Sequence, residues 1–503
     1  MFVRKKKNKS GVISVQVIDK SVGIYKVIKT IGSSSVTSEV SKLVEEGKTW
    51  IKKYTGSQEI DFTNYRRQTD YVLDGIEALT VQGTELLLGR LFDEIGFNQI
   101  KDILFRQLVI ARLCYPASKL KTTDYLSKYQ FLDVDVQVVY RYLDKLYNTE
   151  KQKAQNISYR HTLDVLNHEI SIVFYDVTTI YFESESEDDL RKTGFSKDGK
   201  HEHPQIVLGL LVSKGGYPLA YDIFEGNKFE GHTMLPIINA FKEKYNLNKL
   251  IIVADAGLLS KENIIQLEKQ GYEYILGARI KSENSKMKAK ILALHLENGQ
   301  SMVLQKDEHA KLVISYSQAR AAKDAHNRER GIRKLQSQIK SGRLTKASLN
   351  NRGYNRFLTI ENAVNISLNN NKIEEDKKWD GLKGYITNAR LEKEQIIENY
   401  KNLWQIEKAF RIAKTDLKIR PIYHRVQRRI EAHICVAFVA YKVFKELERQ
   451  LKEKKSSLSP EKAIDIAKTI FALKIRHPVS NDMIYRTLII TEEHRLLAKL
   501  FDF

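Results

Sequence analysis

The stretch SIVFYDVTTIYFE, residues 171–183, opens the most regular run of predicted elements in this chain. Its apolar and β-branched residues predict one buried strand, SIVFYDV, and part of a second, TIYFE. Two further strands, QIVLGLLVS and YPLAYDIF, are joined by a turn at Lys214, Gly215 and Gly216. A helix near 233–245, the strand KLIIVAD, a helix near 260–270 and the strand YEYILGAR complete the run. The pattern predicts an α/β domain.

This order of elements resembles that of the RNase H fold, of the retroviral-integrase type, which has a mixed sheet. In such a sheet the first strand lies beside the fourth, so we expect Asp176 and Asp255 to stand next to each other. Each closes an apolar run, where a carboxylate without a partner costs several kcal/mol or takes up a proton. A bound divalent cation would remove that cost. Capping of the following turn is the simpler alternative for each residue alone.

The region before this core predicts two different modules. Alternating residues at 12–31 predict a small antiparallel sheet within an N-terminal β module, residues 1–80. Residues 81–170 predict short amphipathic helices, with Ser118 as the N-cap of one of them. A helix-turn-helix arrangement would present Gln137, Tyr140, Arg141 and Lys145 to DNA. An ordinary helical bundle with a solvated face fits this region equally well.

The region after the first part of the core, residues 171–280, changes pattern. Residues 281–380 mix strand-like pieces (SMVLQ, AKLVISYS, RFLTIE) with a basic helical stretch, which predicts an insertion domain that contains β-structure. The second part of the core is expected at 381–430, with a helix at 392–414 that carries Glu407. Residues 431–503 predict a helical C-terminal region.

Composition favours a polyanionic partner. The 503 residues include 83 Lys and Arg against 62 Asp and Glu, for a formal charge of +21. Nucleic acid is the leading candidate, and a generally Lys-rich composition is the alternative. The two cysteines, Cys114 and Cys435, stand far apart in apolar contexts, so we expect neither a zinc cluster nor a disulfide framework. No apolar stretch is long enough to predict a membrane span.

Tyr400, Glu407 and Lys414 are spaced seven residues apart, which would place them on one face of the predicted helix. If that helix brings Glu407 beside Asp176 and Asp255, the three carboxylates could hold two Mg²⁺ ions for phosphoryl transfer. The neighbouring Trp404 is expected in the core, with stacking on an unpaired base as the alternative.

These residues and several blocks around them resemble a known family. The blocks are FYDVTTIYFE, GFSKDGKHEHPQ, EGNKFEGHT and VADAGLLSKENI. They look like the bacterial insertion-sequence transposases of the DDE type, which have an RNase H-like catalytic domain and a Y-x2-R-x3-E-x6-K signature. Here Tyr400, Glu407 and Lys414 match the signature, and Leu403 stands where it has Arg. The resemblance spans roughly residues 84–445.

The resemblance implies metal-dependent cleavage of double-stranded DNA at the ends of a mobile element and transfer of the 3′ hydroxyl ends to target DNA. Asp176, Asp255 and Glu407 would be catalytic metal ligands, for two Mg²⁺ ions or for Mn²⁺. A homodimer on DNA and a cytoplasmic, nucleoid-associated location are also implied. An RNase H-like nuclease without strand transfer and an inactive DNA-binding derivative remain alternatives. The implied DNA contacts are Tyr400, Arg411, Lys414, Lys418, Arg420, Arg425, Arg428 and Arg429.

Overall fold

The computed structural model of the protein divides into two compact units. The first comprises Met1–Ala78 with Leu473–Tyr485, and the second comprises Leu79–Ala472 with Arg486–Phe503. The structure describes residues 1–21, 23–56, 69–70, 72–197, 199–247, 249–258, 260–344, 350, 352–361, 365–477 and 480–503.

The first unit begins with an antiparallel three-stranded sheet in the order β1-β2-β3, as the alternation of residues 12–31 predicts. A helix, Thr37–Thr55, follows this sheet and was not predicted from the sequence. Residues 57–68 of the predicted N-terminal module lie outside the described residues. The strands are β1 (Phe2–Lys7), β2 (Ile13–Asp19) and β3 (Lys26–Ser34).

The second unit opens with the helices that residues 81–170 predict. Ser118 caps one of them as expected, since its hydroxyl accepts a hydrogen bond of 3.3 Å from the Lys121 amide. The helices span Arg90–Ile95, Ile103–Cys114, Lys119–Gln130, Val136–Lys145 and Lys151–Val165, preceded by a π-helical turn at Glu85–Gly89.

An eight-stranded mixed sheet forms the centre of this unit, in the order β10-β11-β14-β9-β8-β5-β6-β7. Strand β5 pairs antiparallel with β6 and parallel with β8, and β8 pairs parallel with β9. The helices Met234–Tyr245 and Lys261–Lys269 stand before and after β8, as predicted. The strands are β5 (Ile172–Tyr181), β6 (Gln205–Ser213), β7 (Pro218–Glu225), β8 (Ile251–Ala254), β9 (Glu273–Ala278), β10 (Ser301–Gln305), β11 (Lys311–Tyr316) and β14 (Leu382–Thr387).

The segment predicted as an insertion is only partly separate from this sheet. Strands β10 and β11 join the sheet next to β14, so the first part of residues 281–380 extends the sheet. The rest forms a small core of its own around Leu335 and Phe357. Its elements are the helices Gln318–Lys340 and Asn370–Lys377 and the hairpin of β12 (Leu358–Glu361) and β13 (Asn365–Leu368). The helix Ser285–Leu292 packs instead against β11, through Met287 and Ile291.

Three sequence-based expectations about local structure are wrong. Residues 172–181 form one continuous strand, because the consecutive β-branched residues Val177, Thr178 and Thr179 stay extended. The C-terminal region is not helical throughout, since β15 (Phe471–Arg476) and β16 (Met483–Thr487) form a sheet with β4 (Ile76–Val81).

The third concerns the helix predicted at 392–414, which is two helices. We call them the Tyr400 helix (Lys393–Lys401) and the Glu407 helix (Trp404–Thr415). Between them, the Leu403 amide donates to the Tyr400 carbonyl at 3.1 Å, a three-residue spacing that tightens the turn. Tyr400 and Glu407 therefore do not belong to one continuous helical face.

A long helix, Gln427–Glu453, packs against β7 of the sheet, and most of its residues from Ile430 to Leu447 are buried. Two shorter helices, Pro460–Ala467 and Glu492–Phe501, come later in the chain. Among the described residues, no helix is both long and apolar enough to cross a membrane.

Candidate active site

Asp176 and Asp255 lie side by side at the same edge of the central sheet. The paired residues Tyr175 of β5 and Ala254 of β8 are opposite each other, and each aspartate is the next residue along its strand. Because the two strands are parallel, both carboxylates emerge where the strands diverge. The adjacency expected from the strand order is confirmed.

The Asp176 carboxylate is short of partners. Its side chain is 18% exposed, and its Oδ1 accepts a hydrogen bond of 2.8 Å from the Val177 amide. The Lys197 ammonium stands 3.8 Å from that oxygen. Burial raises the pKa of Asp176 to about 6, and the charges of Asp255 and Glu230 add to the rise while Lys197 opposes it. The site therefore holds negative charge that the described side chains neutralise only in part.

The Lys197 ammonium lies between the carboxylates of Asp176 and Glu230 and forms an ion pair with each. The Lys197 ammonium donates to the Val177 carbonyl at 2.8 Å and lies 3.1 Å from Glu230 Oε1. Its backbone amide donates to Thr179 Oγ1 at 3.1 Å, which fixes the loop to β5. The sequence did not single out Glu230, because an acidic residue before a helix is ordinary there.

Asp255 has a structural role as well as a place in the site. Its Oδ1 accepts hydrogen bonds from the amides of Gly257, at 2.8 Å, and Leu258, at 3.3 Å. This is the turn-capping role that the simpler alternative predicts. Capping uses one carboxylate oxygen, and no described residue donates a hydrogen bond to the other, Oδ2. Capping and metal binding are therefore compatible.

Tyr400 lies directly over β9 next to Asp255. A Cβ atom at Gly277 would stand 2.4 Å from the Tyr400 hydroxyl and 3.0 Å from the Ala256 amide nitrogen, so only glycine allows this approach. Burial raises the pKa of Tyr400, with further contributions from the charges of Asp255 and Glu407. The ionisation of Tyr400 is thus opposed by a charge at the sheet edge and by a charge on the Glu407 helix.

Glu407 is exposed on its helix, and its charge and that of Asp255 both raise the pKa of Tyr400. Among the residues that the structure describes, no group of three or more His, Cys, Asp or Glu is arranged to hold a metal ion. The aspartate pair does fit a divalent cation in its chemistry, because it offers hard carboxylate oxygens and a buried charge in need of a counter-ion.

Residue 403, where the family signature has Arg, is buried. Leu403 is 6% exposed and belongs to the main hydrophobic core. The expectation that Trp404 is a core residue is wrong, since its side chain is 49% exposed. The helical turn that buries Leu403 turns the adjacent residue outward.

The predicted DNA-contacting residues are placed in two different ways. Gln137, Arg141, Arg411, Lys418 and Arg425 are exposed, whereas Lys414 and Arg420 are partly buried. The remaining three are held by carboxylates. Lys145 lies 3.2 Å from Asp102 Oδ2, and Arg428 and Arg429 both bond Asp144, at 2.8 and 3.0 Å.

A cavity of about 520 Å³ extends from Tyr400 toward the insertion. Among its lining residues are Arg279, Arg320 and Lys383, which come from the β9 end, the helix Gln318–Lys340 and β14. The Arg279 guanidinium donates to the Ala256 carbonyl at 3.1 Å. The sequence did not predict this basic lining, since the three residues are far apart along the chain.

Comparison with known proteins gives a consistent result. The family model described as "Transposase DDE domain" matches residues 167–442. The transposase for insertion sequence element IS231E of Bacillus thuringiensis subsp. finitimus is 28% identical over 227 residues, which are 42% of this chain and 46% of that relative. The match thus covers about half of the relative's length.

Two solved structures match parts of the chain. The piggyBac transposase synaptic complex with hairpin DNA has 9% identity and a TM-score of 0.39, over 73% of this chain and 69% of that one. The Mos1 transposase paired-end complex with the left transposon end has 13% identity and a TM-score of 0.16, over 31% of this chain and 53% of that one.

Proposed function

The chain belongs to the transposase DDE domain family, and we propose that it cleaves DNA at the terminal inverted repeats of an insertion sequence and joins the freed 3′ ends to target DNA. The observation that carries this proposal is the pair Asp176 and Asp255 on neighbouring parallel strands, with negative charge left over. The order β7-β6-β5-β8-β9 supports an RNase H-like core, because the first strand is central and pairs with the fourth.

We propose Asp176, Asp255 and Glu407 as the ligands of two Mg²⁺ ions, for which Mn²⁺ is an alternative. When bound, the ions would neutralise charge on the reacting phosphate and help both the attacking and the leaving oxygen. The aspartates contribute oxygens from the rigid sheet edge, and Glu407 contributes from a helix at the surface. Lys197 orients the Asp176 carboxylate through its contact at 3.8 Å.

The proposed reaction has two steps. In the first, water attacks a phosphodiester at the element end, the P–O3′ bond breaks, and the departing oxygen takes a proton to become a 3′ hydroxyl. In the second, that hydroxyl loses its proton, attacks a target phosphodiester and displaces the target's 3′ oxygen. The Tyr400 hydroxyl, which lies over Gly277 of β9, would contact the phosphate being attacked.

DNA would lie across exposed and partly buried polar side chains, most of them basic, on both sides of the sheet edge. Arg411 and Lys414 belong to the Glu407 helix, and Lys418, Arg420 and Arg425 follow it. Gln137 and Arg141 lie on the helix Val136–Lys145. Arg428, Arg429 and Lys145 are tied to carboxylates and would have to exchange those partners for phosphate. We also propose that two copies act together on two element ends in the bacterial nucleoid.

A cleavage assay tests the proposal. The substrate is DNA that carries the inverted repeats flanking the gene, with Mg²⁺ and with chelator. We expect wild type to cut only with metal and Asp176→Asn to be inactive. Asp222→Asn is the matched control, because Asp222 is an exposed aspartate of the same sheet, on β7. Equal cutting by the Asp176 and Asp222 variants would reject the site.

A strand-transfer assay separates a transposase from a nuclease. A substrate labelled at its 3′ end is incubated with an unlabelled target plasmid, and label in the plasmid reports joining. Cleavage with no transfer of label would favour a nuclease. Light scattering with and without the repeat DNA measures the stoichiometry, and one copy per pair of ends would contradict joint action.

A further inference from the structure

A second basic cavity, of about 560 Å³, lies in the unit that contains the candidate active site but is built from other elements. It is enclosed by the start of the helix Lys119–Gln130, the loop after the Glu407 helix, and the start of the long helix Gln427–Glu453. Its described lining residues include several Arg, Lys and His but no Asp or Glu. The cavity therefore concentrates positive charge.

Two cationic side chains in this cavity are almost fully buried. Arg112 and Lys119 are each 5% exposed. Arg112 donates one hydrogen bond, of 3.4 Å, to the Leu417 carbonyl, and the Lys119 ammonium stands 3.5 Å from His433 Nδ1. No described carboxylate pairs with either. Buried cations are normally paired with an anion, because an unpaired buried charge is strongly unfavourable.

The two histidines of the cavity, His424 and His433, do not neutralise the positive charge of Arg112 and Lys119. His433 Nε2 donates to the Ile419 carbonyl at 3.1 Å, so Nδ1 carries a lone pair that faces Lys119. The His424 and His433 rings are 5.5 Å apart. Burial, followed by the charges of Lys119 and Arg112, lowers the pKa of both imidazoles, so both are neutral near pH 7.

Loss of the Lys119 proton would not remove the excess positive charge of the cavity. Burial lowers the pKa of Lys119, and burial lowers that of Arg112 to about 10. Arg112 therefore stays charged at neutral pH even if Lys119 loses its proton. The amides at the start of the helix Lys119–Gln130 add a positive partial charge at the same place. The cavity is thus prepared for a negatively charged group.

We propose that this cavity binds a phosphate group of the DNA backbone, held by Arg112, Lys119 and the start of the helix Lys119–Gln130. The choice of DNA rests on the proposed function. It is favoured by Tyr140, which lines the cavity from the helix Val136–Lys145, and by two exposed lysines that also line it, Lys121 and Lys418. A guanidinium fork and an ammonium are the usual partners of phosphate in proteins.

Thermal unfolding with inorganic phosphate as the probe tests whether the cavity binds an anion. In phosphate-free buffer, Lys119→Met should be at least as stable as wild type, because it removes an unpaired buried charge. Added phosphate should raise the melting temperature of wild type but not that of Lys119→Met.

The matched control is Lys442→Met. Lys442 is also a buried lysine, but it donates to protein acceptors, the Ser158 carbonyl and Thr162 Oγ1. Its removal should lower stability and leave the phosphate response intact. Equal phosphate responses in wild type and both variants would overturn the anion site. Should Lys119→Met fold poorly, Lys119→Arg should keep the response and Arg112→Gln should lose it.

DNA binding then identifies the source of the phosphate. Titration of a short fluorescent duplex at several salt concentrations should show about tenfold weaker binding for Lys119→Met, and a salt dependence reduced by about one phosphate contact. Free phosphate should compete more strongly against wild type than against the variant. Unchanged duplex affinity alongside a lost phosphate response would assign the cavity to a free anion and overturn the DNA assignment.

The two proposals fail separately. If wild type cuts repeat DNA, Asp176→Asn does not, and Lys119→Met binds and cuts like wild type, the cavity inference is wrong and the proposed function stands. If no variant or wild type cuts DNA but the phosphate response depends on Lys119, the proposed function is wrong and the anion site stands.

Discussion

The ammonium nitrogen of Lys383 lies 4.5 Å from the ring centre of Tyr400 and 5.5 Å from that of Tyr385. Lys383 thus rests on two aromatic faces at the edge of the candidate active site, in the basic cavity that also contains Arg320. Burial lowers the pKa of Lys383, as does the charge of Arg320, while Glu407 opposes the change. We predict that Lys383 contributes positive charge to DNA binding at this edge of the site.

Lys383→Met should weaken DNA binding by about tenfold and reduce its salt dependence by about one phosphate contact. Methionine keeps the apolar stem on the two rings, so the melting temperature should change little. Fluorescence anisotropy with repeat DNA measures the effect. Lys377→Met is the control, because Lys377 is an exposed lysine at the end of an insertion helix, paired with Glu374. Equal affinities for the two variants would contradict the assignment.

Restoring the signature residue should fail. Leu403 is buried in the main core, so Leu403→Arg places a charge among apolar side chains and should lower the free energy of unfolding by about 3 kcal/mol. Leu403→Met should lower it by less than about 1.5 kcal/mol. Urea unfolding compares the three proteins. A Leu403→Arg protein with wild-type stability and higher DNA affinity would show that the position can turn toward the site.

The central sheet was predictable because its strands are long apolar runs separated by clear turn residues. QIVLGLLVS and KLIIVAD have few competing conformations, and their order along the chain restricts the sheet to few topologies. The adjacency of Asp176 and Asp255 followed from the likeness of this element order to the RNase H fold, in which the first strand lies beside the fourth. The break at Leu403 was not predictable, because no Gly or Pro marks it and it comes from packing of Leu403 into the core.

Sites built from side chains of elements far apart along the chain could not be predicted from the sequence either. Lys383 meets Tyr400 only because β14 lies beside β9 in the sheet. Arg112, Lys119 and His433 come from three helices, and no spacing along the chain relates them. Charge composition indicated an anionic partner but did not indicate where the charges converge.

The two aspartates should differ in their effect on stability without metal. Asp176 is ionised at neutral pH although burial raises its pKa to about 6, so its charge destabilises the fold there. Asp176→Asn should therefore raise the free energy of unfolding in chelator, by up to about 3 kcal/mol. Asp255→Ala should lower it by about 1 kcal/mol, because the amides of Gly257 and Leu258 lose their acceptor.

Asp255→Asn is the control for that pair, since its amide oxygen can still accept both bonds while its charge is gone. It should be nearly as stable as wild type and inactive in cleavage. Calorimetry in chelator gives the ranking. Destabilisation by Asp176→Asn would mean that its carboxylate is satisfied by the protein, which would remove the main physical reason for a cation there.

His424 should make the protein sensitive to mild acid. Burial lowers its pKa to about 3, with Lys119, Arg112 and Arg429 adding to the decrease, and the rings of His433 and Tyr140 pack against it. An unfolded chain protonates its histidine near pH 6.5, whereas the folded one does not. The unfolded state therefore binds more protons as the pH falls below about 6.5, and stability is lost in that direction.

Between about pH 7.5 and 5.5, wild type should lose up to about 1.4 kcal/mol of unfolding free energy relative to His424→Gln. His309→Gln replaces an exposed histidine and should follow wild type. Phosphate in the cavity would stabilise a protonated His424, so wild type should lose less stability in phosphate than in a buffer without it. Parallel pH curves for wild type and His424→Gln would mean that the folded cavity accepts the proton, and that its positive charge is already balanced by the protein.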